Sequence, residues 1–330
     1  MKLHIMAALM MKIRRKVAIS VMRAARAANR SRAARALLRG RSIRRFSLVN
    51  RLYHTVFRLG VIAGNREAEA HYRGVVLTGP AWDTTIMPSV SAGYYEEFEV
   101  SVFERLATVS QVIVDVGANI GVYACTGAAR LPRGGRLIAF EPVPENAAYL
   151  RRNVDRNDLT GRVTVEPVAV GASPGELTMY LSGEQSGKHS AAEANVGTPA
   201  GTVTMPMTSI DAYLAGSRLE PPDIIKIDVE GYEGFVLRGS AQTLTALPTL
   251  LFELHPELQA ACGCSAGDLL DLVFARYRWV FLVDELDNVL RPCSRADLGK
   301  PDAVGLYRSN LVAIGRQEHL DAVRQWHRLT

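Results

Sequence analysis

Short apolar runs rich in β-branched residues alternate with stretches of helical spacing through the middle of this chain of 330 residues. Gln111–Asp115 reads QVIVD, Arg136–Phe140 RLIAF, Ile224–Asp228 IIKID and Thr249–Leu254 TLLFEL. A strand with one wet face alternates apolar and polar residues. A run that stays apolar is buried on both faces, as the strands of a parallel sheet are. The stretch Glu145–Asn157, with Leu150 and Val154 turned inward, has the length of the helical crossover that parallel strands need. The pattern predicts an α/β fold, a mostly parallel sheet with helices on both faces.

Further elements follow the same reading. Gly74–Leu77 and Arg162–Val170 are expected strands. Leu177–Leu181 and Thr202–Met207 form a two-stranded excursion around a polar, Gly-rich loop. Tyr94–Leu106, Phe235–Ala246 and Leu269–Tyr277 are expected helices, and Trp279–Val283 and Leu311–Ile314 close the sheet. The expected organisation is a basic, helical extension over residues 1–58, a lead-in over 59–110 and the α/β domain over 111–330.

The net charge of +6 conceals an asymmetry. Residues 1–58 hold 16 Lys and Arg and no Asp or Glu, which leaves 23 basic against 33 acidic residues in the rest. The body is thus acidic, and the basic balance says nothing about its ligand. Three readings of the arm stay open: a solvated extension or misplaced start, a peripheral contact with anionic membrane, and a nucleic-acid contact, which the scarcity of aromatics disfavours. Ile5–Met11 is apolar, but cations follow at once and no cleavage site appears, so no signal peptide is expected. The chain has no apolar run of spanning length. Four cysteines, none at metal-knuckle spacing, are expected as reduced thiols in a cytoplasmic protein.

The chemistry gathers at strand ends. The first strand runs into Asp115-Val116-Gly117-Ala118-Asn119-Ile120-Gly121, a glycine turn of dinucleotide type with Asn119 in place of the middle glycine. Gly117 permits the tight turn, and Gly121 lets the helix come close to its neighbours. A side chain at Asn119 would crowd a pyrophosphate, and Asp115 would repel one. Both suit S-adenosylmethionine, which has no phosphate and carries an ammonium group. Glu141, 20 residues after Gly121, stands where an acid grips both ribose hydroxyls, and Asn146 on the following helix is within reach of the same ligand. A third cluster is Lys226, Asp228 and Glu230 with Gly231. A fourth is Glu253 with His255, where His255 is a candidate general base or a helix cap. His189 lies on the excursion loop. Asp228 and Glu230 alone make a poor divalent-metal site, and no metal is expected.

Between Ile113 and Glu253 the runs VDVGANIGVYA, IAFEPVPENAAYLRRNVDRN, TSID, IIKIDVEGYEGFVLRG and LLFELHP together resemble the FkbM family of methyltransferases. The resemblance implies a Rossmann-like class I methyltransferase fold, S-adenosylmethionine as donor and an oxygen as the usual acceptor, in antibiotic, glycan or glycolipid pathways. It carries donor binding onto Asp115, Gly117, Asn119, Gly121 and Glu141, and a second acidic motif onto Asp228, Glu230 and Gly231. The acceptor is expected to be a small molecule or glycan. Methyl transfer from a sulfonium needs the acceptor oxygen held in line and its proton removed. Asp228 or His255 is the expected base, with Glu230 and Lys226 positioning. The rivals are an NAD(P)-dependent oxidoreductase, which lacks its phosphate glycine here, and a catalytically degenerate domain attached to membrane by the arm.

Overall fold

The computed structural model describes residues 67–93, 95–217, 219–285, 287–298 and 309–327. The basic arm over residues 1–58 and its expected helix lie outside them. The described residues fall into two compact units.

The first unit, which includes residues 184–187, holds the antiparallel hairpin β1 (Glu67–Tyr72) and β2 (Val75–Pro80) and the helix α1 (Ile86–Ala92). Arg73 and Gly74, both at positive φ, form the two-residue turn that right-handed strand twist favours. Asp83 is buried and caps α1, its carboxylate accepting the amides of Thr85, Ile86 and Met87 at 2.9–3.1 Å.

The second unit contains, in chain order, α2 (Glu97–Ala107), β3 (Val112–Val116), α3 (Val122–Ala128), β4 (Arg136–Phe140), α4 (Pro144–Arg156), β5 (Val163–Glu166), β6 (Ala169–Val170), β7 (Gly175–Leu181), α5 (Glu193–Val196), β8 (Gly201–Thr208) and α6 (Ile210–Ala215). It continues with β9 (Ile224–Ile227), α7 (Glu233–Arg238), β10 (Thr249–Leu254), α8 (Pro256–Ala261), α9 (Ala266–Phe274), β11 (Trp279–Asp284), β12 (Val289–Pro292), α10 (Arg295–Leu298), β13 (Ser309–Ile314) and α11 (Gln317–Ala322). Eight strands form one sheet in the order β12-β11-β13-β10-β9-β3-β4-β5. Pairing is parallel from β5 to β10 and antiparallel from there to β12. This is the expected Rossmann-like architecture.

Side chains of a strand alternate between faces. One face sends Val114, Val116, Ile138, Phe140, Ile225, Ile227, Leu250 and Phe252 into a core closed by Ile210 of α6, Leu237 of α7 and Leu269 of α9. On the other face α2 and α3 meet edge to face through Phe103 and Tyr123, centroids 5.2 Å apart. Gly127 makes that crossing possible, since a Cβ there would overlap the Phe103 ring.

The expected third strand divides. Pro167 cannot donate to a ladder, so β5 stops at Glu166 and Ala169–Val170 joins a separate sheet of order β6-β8-β7. Phe235–Ala246, expected as one helix, stops at Arg238. Asp211 then accepts the Gln242 and Thr243 amides, both at 2.8 Å, and starts a separate turn of 3₁₀ helix. Among the described residues no helix is long and apolar enough to cross a membrane.

His319 pins α11 to the sheet. Its Nδ1 lies 2.7 Å from Thr249 Oγ1 and its Nε2 3.1 Å from Ser110 Oγ. Ser110 donates its own proton to Leu106 O at 2.9 Å, so Nε2 carries the imidazole proton and Nδ1 accepts from Thr249. Burial lowers the His319 pKa to about 4. A histidine protonated more readily unfolded than folded weakens the fold as pH falls through the window from 6.5 to 4. Urea melts are expected to show about 2 kcal/mol less stability at pH 5 than at pH 7.5 from this residue, a loss that His319→Gln removes.

Candidate functional site

Strand order reverses beside β3: β4 and β5 follow on one side, β9 and β10 on the other. Such a switch point opens a crevice at the carboxyl ends of the strands, and the acids singled out above stand there.

The turn after β3 is closed on itself. The amides of Gly117 and Ala118 both donate to Phe140 O at 3.0 Å. Asn119 N–H donates to Glu141 Oε2 at 2.8 Å, Ile120 N–H to Asn119 Oδ1 at 2.7 Å, and Gly121 N–H to Ala118 O at 2.8 Å. A phosphate-binding loop directs such amides at its ligand; here all five are spent within the protein. Asn119 holds φ +50°, a conformation in which Asn is tolerated because its side chain bonds locally. Gly117 and Gly121 also have positive φ. A Cβ on Gly117 would overlap the Asp228 carbonyl, and one on Gly121 would stand 2.5 Å from Leu150 Cδ1 of α4. Gly121 therefore admits the neighbouring helix.

Asp115 stands one residue before the end of β3 with no exposed surface, and apart from Lys226 no described residue hydrogen-bonds its carboxylate. Its register partner is Lys226 in the middle of β9. Lys226 Nζ stands 3.6 Å from Asp115 Oδ1, 3.3 Å from Asp228 Oδ2 and 4.5 Å from the Tyr123 ring centroid. Burial pushes the Asp115 pKa up, against the pull of Lys226.

Glu141 is buried at the end of β4. Its Oε1 accepts Val143 N–H at 2.9 Å, its Oε2 accepts Asn119 N–H, and Asn146 of α4 hydrogen-bonds it as well. Burial outweighs these bonds and raises its pKa to about 7. An ionised carboxylate offers acceptors only, the kind of group a diol requires. Beside it runs an apolar cleft lined by Gly117, Phe140, Pro142, Val168, Val229 and Tyr232.

The acidic turn after β9 is held from several sides. Glu230 has φ +50°, and its carbonyl accepts from Ser190 Oγ at 2.8 Å and Asn195 Nδ2 at 3.2 Å. The buried Glu233 accepts the amides of Val229 and Gly231, and Gln259 Nε2 donates to it at 3.1 Å. A strained residue persists only where its surroundings over-determine it. Burial and the neighbouring Asp228, Glu253 and Glu233 raise the Glu230 pKa well above its ordinary value.

The structure brings Asp115, Lys226 and Asp228 into one network, and joins Asn119, Glu141 and Asn146 in another. His255 is placed as the N-cap of α8, buried, its Nδ1 accepting Leu258 N–H at 3.4 Å. His189 Nδ1 accepts the Ser182 amide at 3.0 Å. Glu233, Ser190 and Asn195 were not anticipated. An acid reaching back over the first helical turn is a capping pattern that could have flagged Glu233. Ser190 and Asn195 act 40 and 35 residues away in sequence and carry no local signal.

The family model described as Methyltransferase FkbM domain matches residues 115–293. Hexuronic acid methyltransferase AglP of Haloferax volcanii is 32% identical over 148 residues, covering 44% of this chain and 56% of that protein. The 2-O-methyltransferase NoeI of Sinorhizobium fredii is 28% identical over 147 residues, covering 41% of this chain and 59% of that protein. The chain thus spans a little over half the length of these relatives. Among solved structures, Methyltransferase FkbM from Methylobacillus flagellatus superposes with a TM-score of 0.38 at 19% identity, over 62% of this chain and 43% of that one.

Proposed function

The chain belongs to the FkbM methyltransferase domain family, and on that premise we propose that it transfers a methyl group from S-adenosylmethionine to a hydroxyl of a sugar or other small-molecule acceptor. The observation that carries the reading is the closed glycine turn beside the buried carboxylate of Asp115, whose neighbour of opposite charge is Lys226. A turn whose five amides are already satisfied has none to offer a pyrophosphate, whereas a buried carboxylate that takes no hydrogen bond from the backbone, and only a long contact from Lys226, suits an ammonium. Glu141, supported by Asn146, binds the ribose diol. The apolar cleft beside it suits a flat base. Gly117, Asn119 and Gly121 shape the wall of the site. When bound, the donor supplies an activated methyl group on a sulfonium.

What remains for the protein is to orient the acceptor oxygen and take its proton. Asp228 is the preferred base, because its side chain is 35% exposed at the mouth of the crevice and Lys226 holds it. Glu230 positions the acceptor. His255, occupied at Nδ1 by the cap of α8, is the weaker candidate for the base. The two relatives, named for methylating a hexuronic acid and a 2-O position, support a sugar hydroxyl as acceptor. The 16 cations of residues 1–58 support a peripheral contact with anionic lipid at the inner face of the membrane, and a cytoplasmic site of action.

The experiment is transfer of labelled methyl from S-adenosylmethionine to a panel of neutral hexose and hexuronate glycosides. Label is expected in at least one, and Asp228→Asn is expected to cut its turnover by roughly 10²–10⁴-fold. Unchanged turnover in that variant would remove Asp228 as the base. A donor-binding protein that labels no member of the panel would place the acceptor outside the sugars.

A further inference from the structure

Lys226 sits in β9, a strand whose four residues are all buried. A cation inside a sheet is costly unless its neighbours need it. Two carboxylates share this one ammonium. Its shorter contact, 3.3 Å, is to Asp228 at the partly exposed mouth, and its longer one, 3.6 Å, is to the fully enclosed Asp115. Beyond Lys226, Asp115 has no hydrogen-bond donor among the described residues to sustain its charge. Burial works to neutralise it, Asp228 adds to that push, and Lys226 opposes it. One face of the Tyr123 ring lies against the ammonium, so Lys226 spans two acids on a surface that favours a cation wherever between them it stands.

Resting on the donor site proposed above, we propose that Lys226 is a transferable counter-ion: it keeps Asp115 ionised in the free protein, yields it to the donor's ammonium, and then serves Asp228 on the acceptor side. The displacement required is small, because Nζ already lies within 4 Å of both acids. No proton has to move. Before binding, one ammonium stands between two carboxylates; binding brings a second ammonium to Asp115 together with the donor's own carboxylate, so the amino-acid moiety adds a partner for Asp115 and no net charge. Lys226 is thereby a positioning residue, and it links occupancy of the donor site to the setting of Asp228.

The test counts protons. S-adenosylhomocysteine, which carries the same amino-acid moiety, is titrated calorimetrically between pH 6 and 7.5 into the wild-type protein, Lys226→Met and Lys226→Arg. Each titration is run in two buffers of different ionisation heat. The charged or titratable groups around the pair are Asp228 just after β9, Tyr123 and Cys125 on α3, and Glu141 just after β4. Cys125, pushed up to about 12, keeps its proton throughout. Glu141, near 7, titrates in every protein, so the readout is the difference from wild type.

Without Lys226, Asp115 is expected to be protonated when free and to lose that proton on binding. Lys226→Met should therefore release about one proton more per ligand than wild type, and its affinity should rise about tenfold more per pH unit. Lys226→Arg, with its cation intact, should release no extra proton. Equal proton counts in wild type and Lys226→Met would overturn the proposal while leaving the donor site standing. No binding to the wild-type protein would overturn both. Should Lys226→Met be too unstable to titrate, Lys226→Gln is read by the same criterion.

Discussion

Replacing Gly117 with alanine is expected to cost both the fold and donor binding. The residue holds φ +81°, where a side chain strains against its own backbone. The added methyl would also overlap the carbonyl oxygen of Asp228, a backbone atom that is itself fixed by the Asp228 amide donating to Val116 O at 3.0 Å. Neither atom can yield without parting β3 from β9. The positive φ costs about 1–2 kcal/mol and forced overpacking about 1–3 kcal/mol, so a loss of roughly 4 kcal/mol in urea melts is expected. Gly134 is the control. It has a similar φ, +86°, but open space where a Cβ would stand, and Gly134→Ala should cost only about 1 kcal/mol. Equal losses at the two positions would mean that φ alone, and no close approach, requires glycine at Gly117.

Glu141→Ala is expected to weaken S-adenosylmethionine binding by roughly a thousandfold, about 4 kcal/mol, from two charge-assisted hydrogen bonds to the ribose. The same substitution strips the Asn119 and Val143 amides of their acceptor, so the turn after β3 should loosen as well. Glu141→Gln separates the two effects. Its single amide oxygen can accept from one of the two backbone amides, which reach different oxygens of Glu141, while its NH2 faces the other and no charge remains for the hydroxyls, so stability should return in part and affinity should stay low. An alanine variant that binds as tightly as wild type would show that the diol is held elsewhere.

The parts of this fold legible in the sequence were those with one physical explanation. RLIAF and TLLFEL are short unbroken apolar runs, as strands buried on both faces are; the first lies inside the parallel body of the sheet and the second at its boundary, parallel to β9 and antiparallel to β13. Asp115 and Glu141 were readable because residues at the carboxyl ends of such strands project into the crevice. What was illegible depended on the third dimension. The apolar pattern runs on from Val163 through Val170, and only Pro167 marks the place where the chain leaves one sheet for another. His255 offered two roles in the sequence, and the Leu258 amide that occupies its Nδ1 is visible only once α8 is folded. The closure of the glycine turn on its own amides follows from φ angles at Gly117, Asn119 and Gly121. Ser190 and Asn195 meet Glu230 because the β7–β8 excursion carries them there, and no spacing announces that.

The crevice at β3 and β9 is expected to take S-adenosylmethionine and not a phosphate-bearing dinucleotide. Calorimetric titration of the full chain with S-adenosylmethionine and, separately, with NADH decides it. Micromolar binding of S-adenosylmethionine with no heat from NADH is the predicted result. Binding of NADH, with none of S-adenosylmethionine, would contradict the account, because it would require the satisfied amides of residues 117–121 to open and the carboxylate of Asp115 to accept a pyrophosphate beside it.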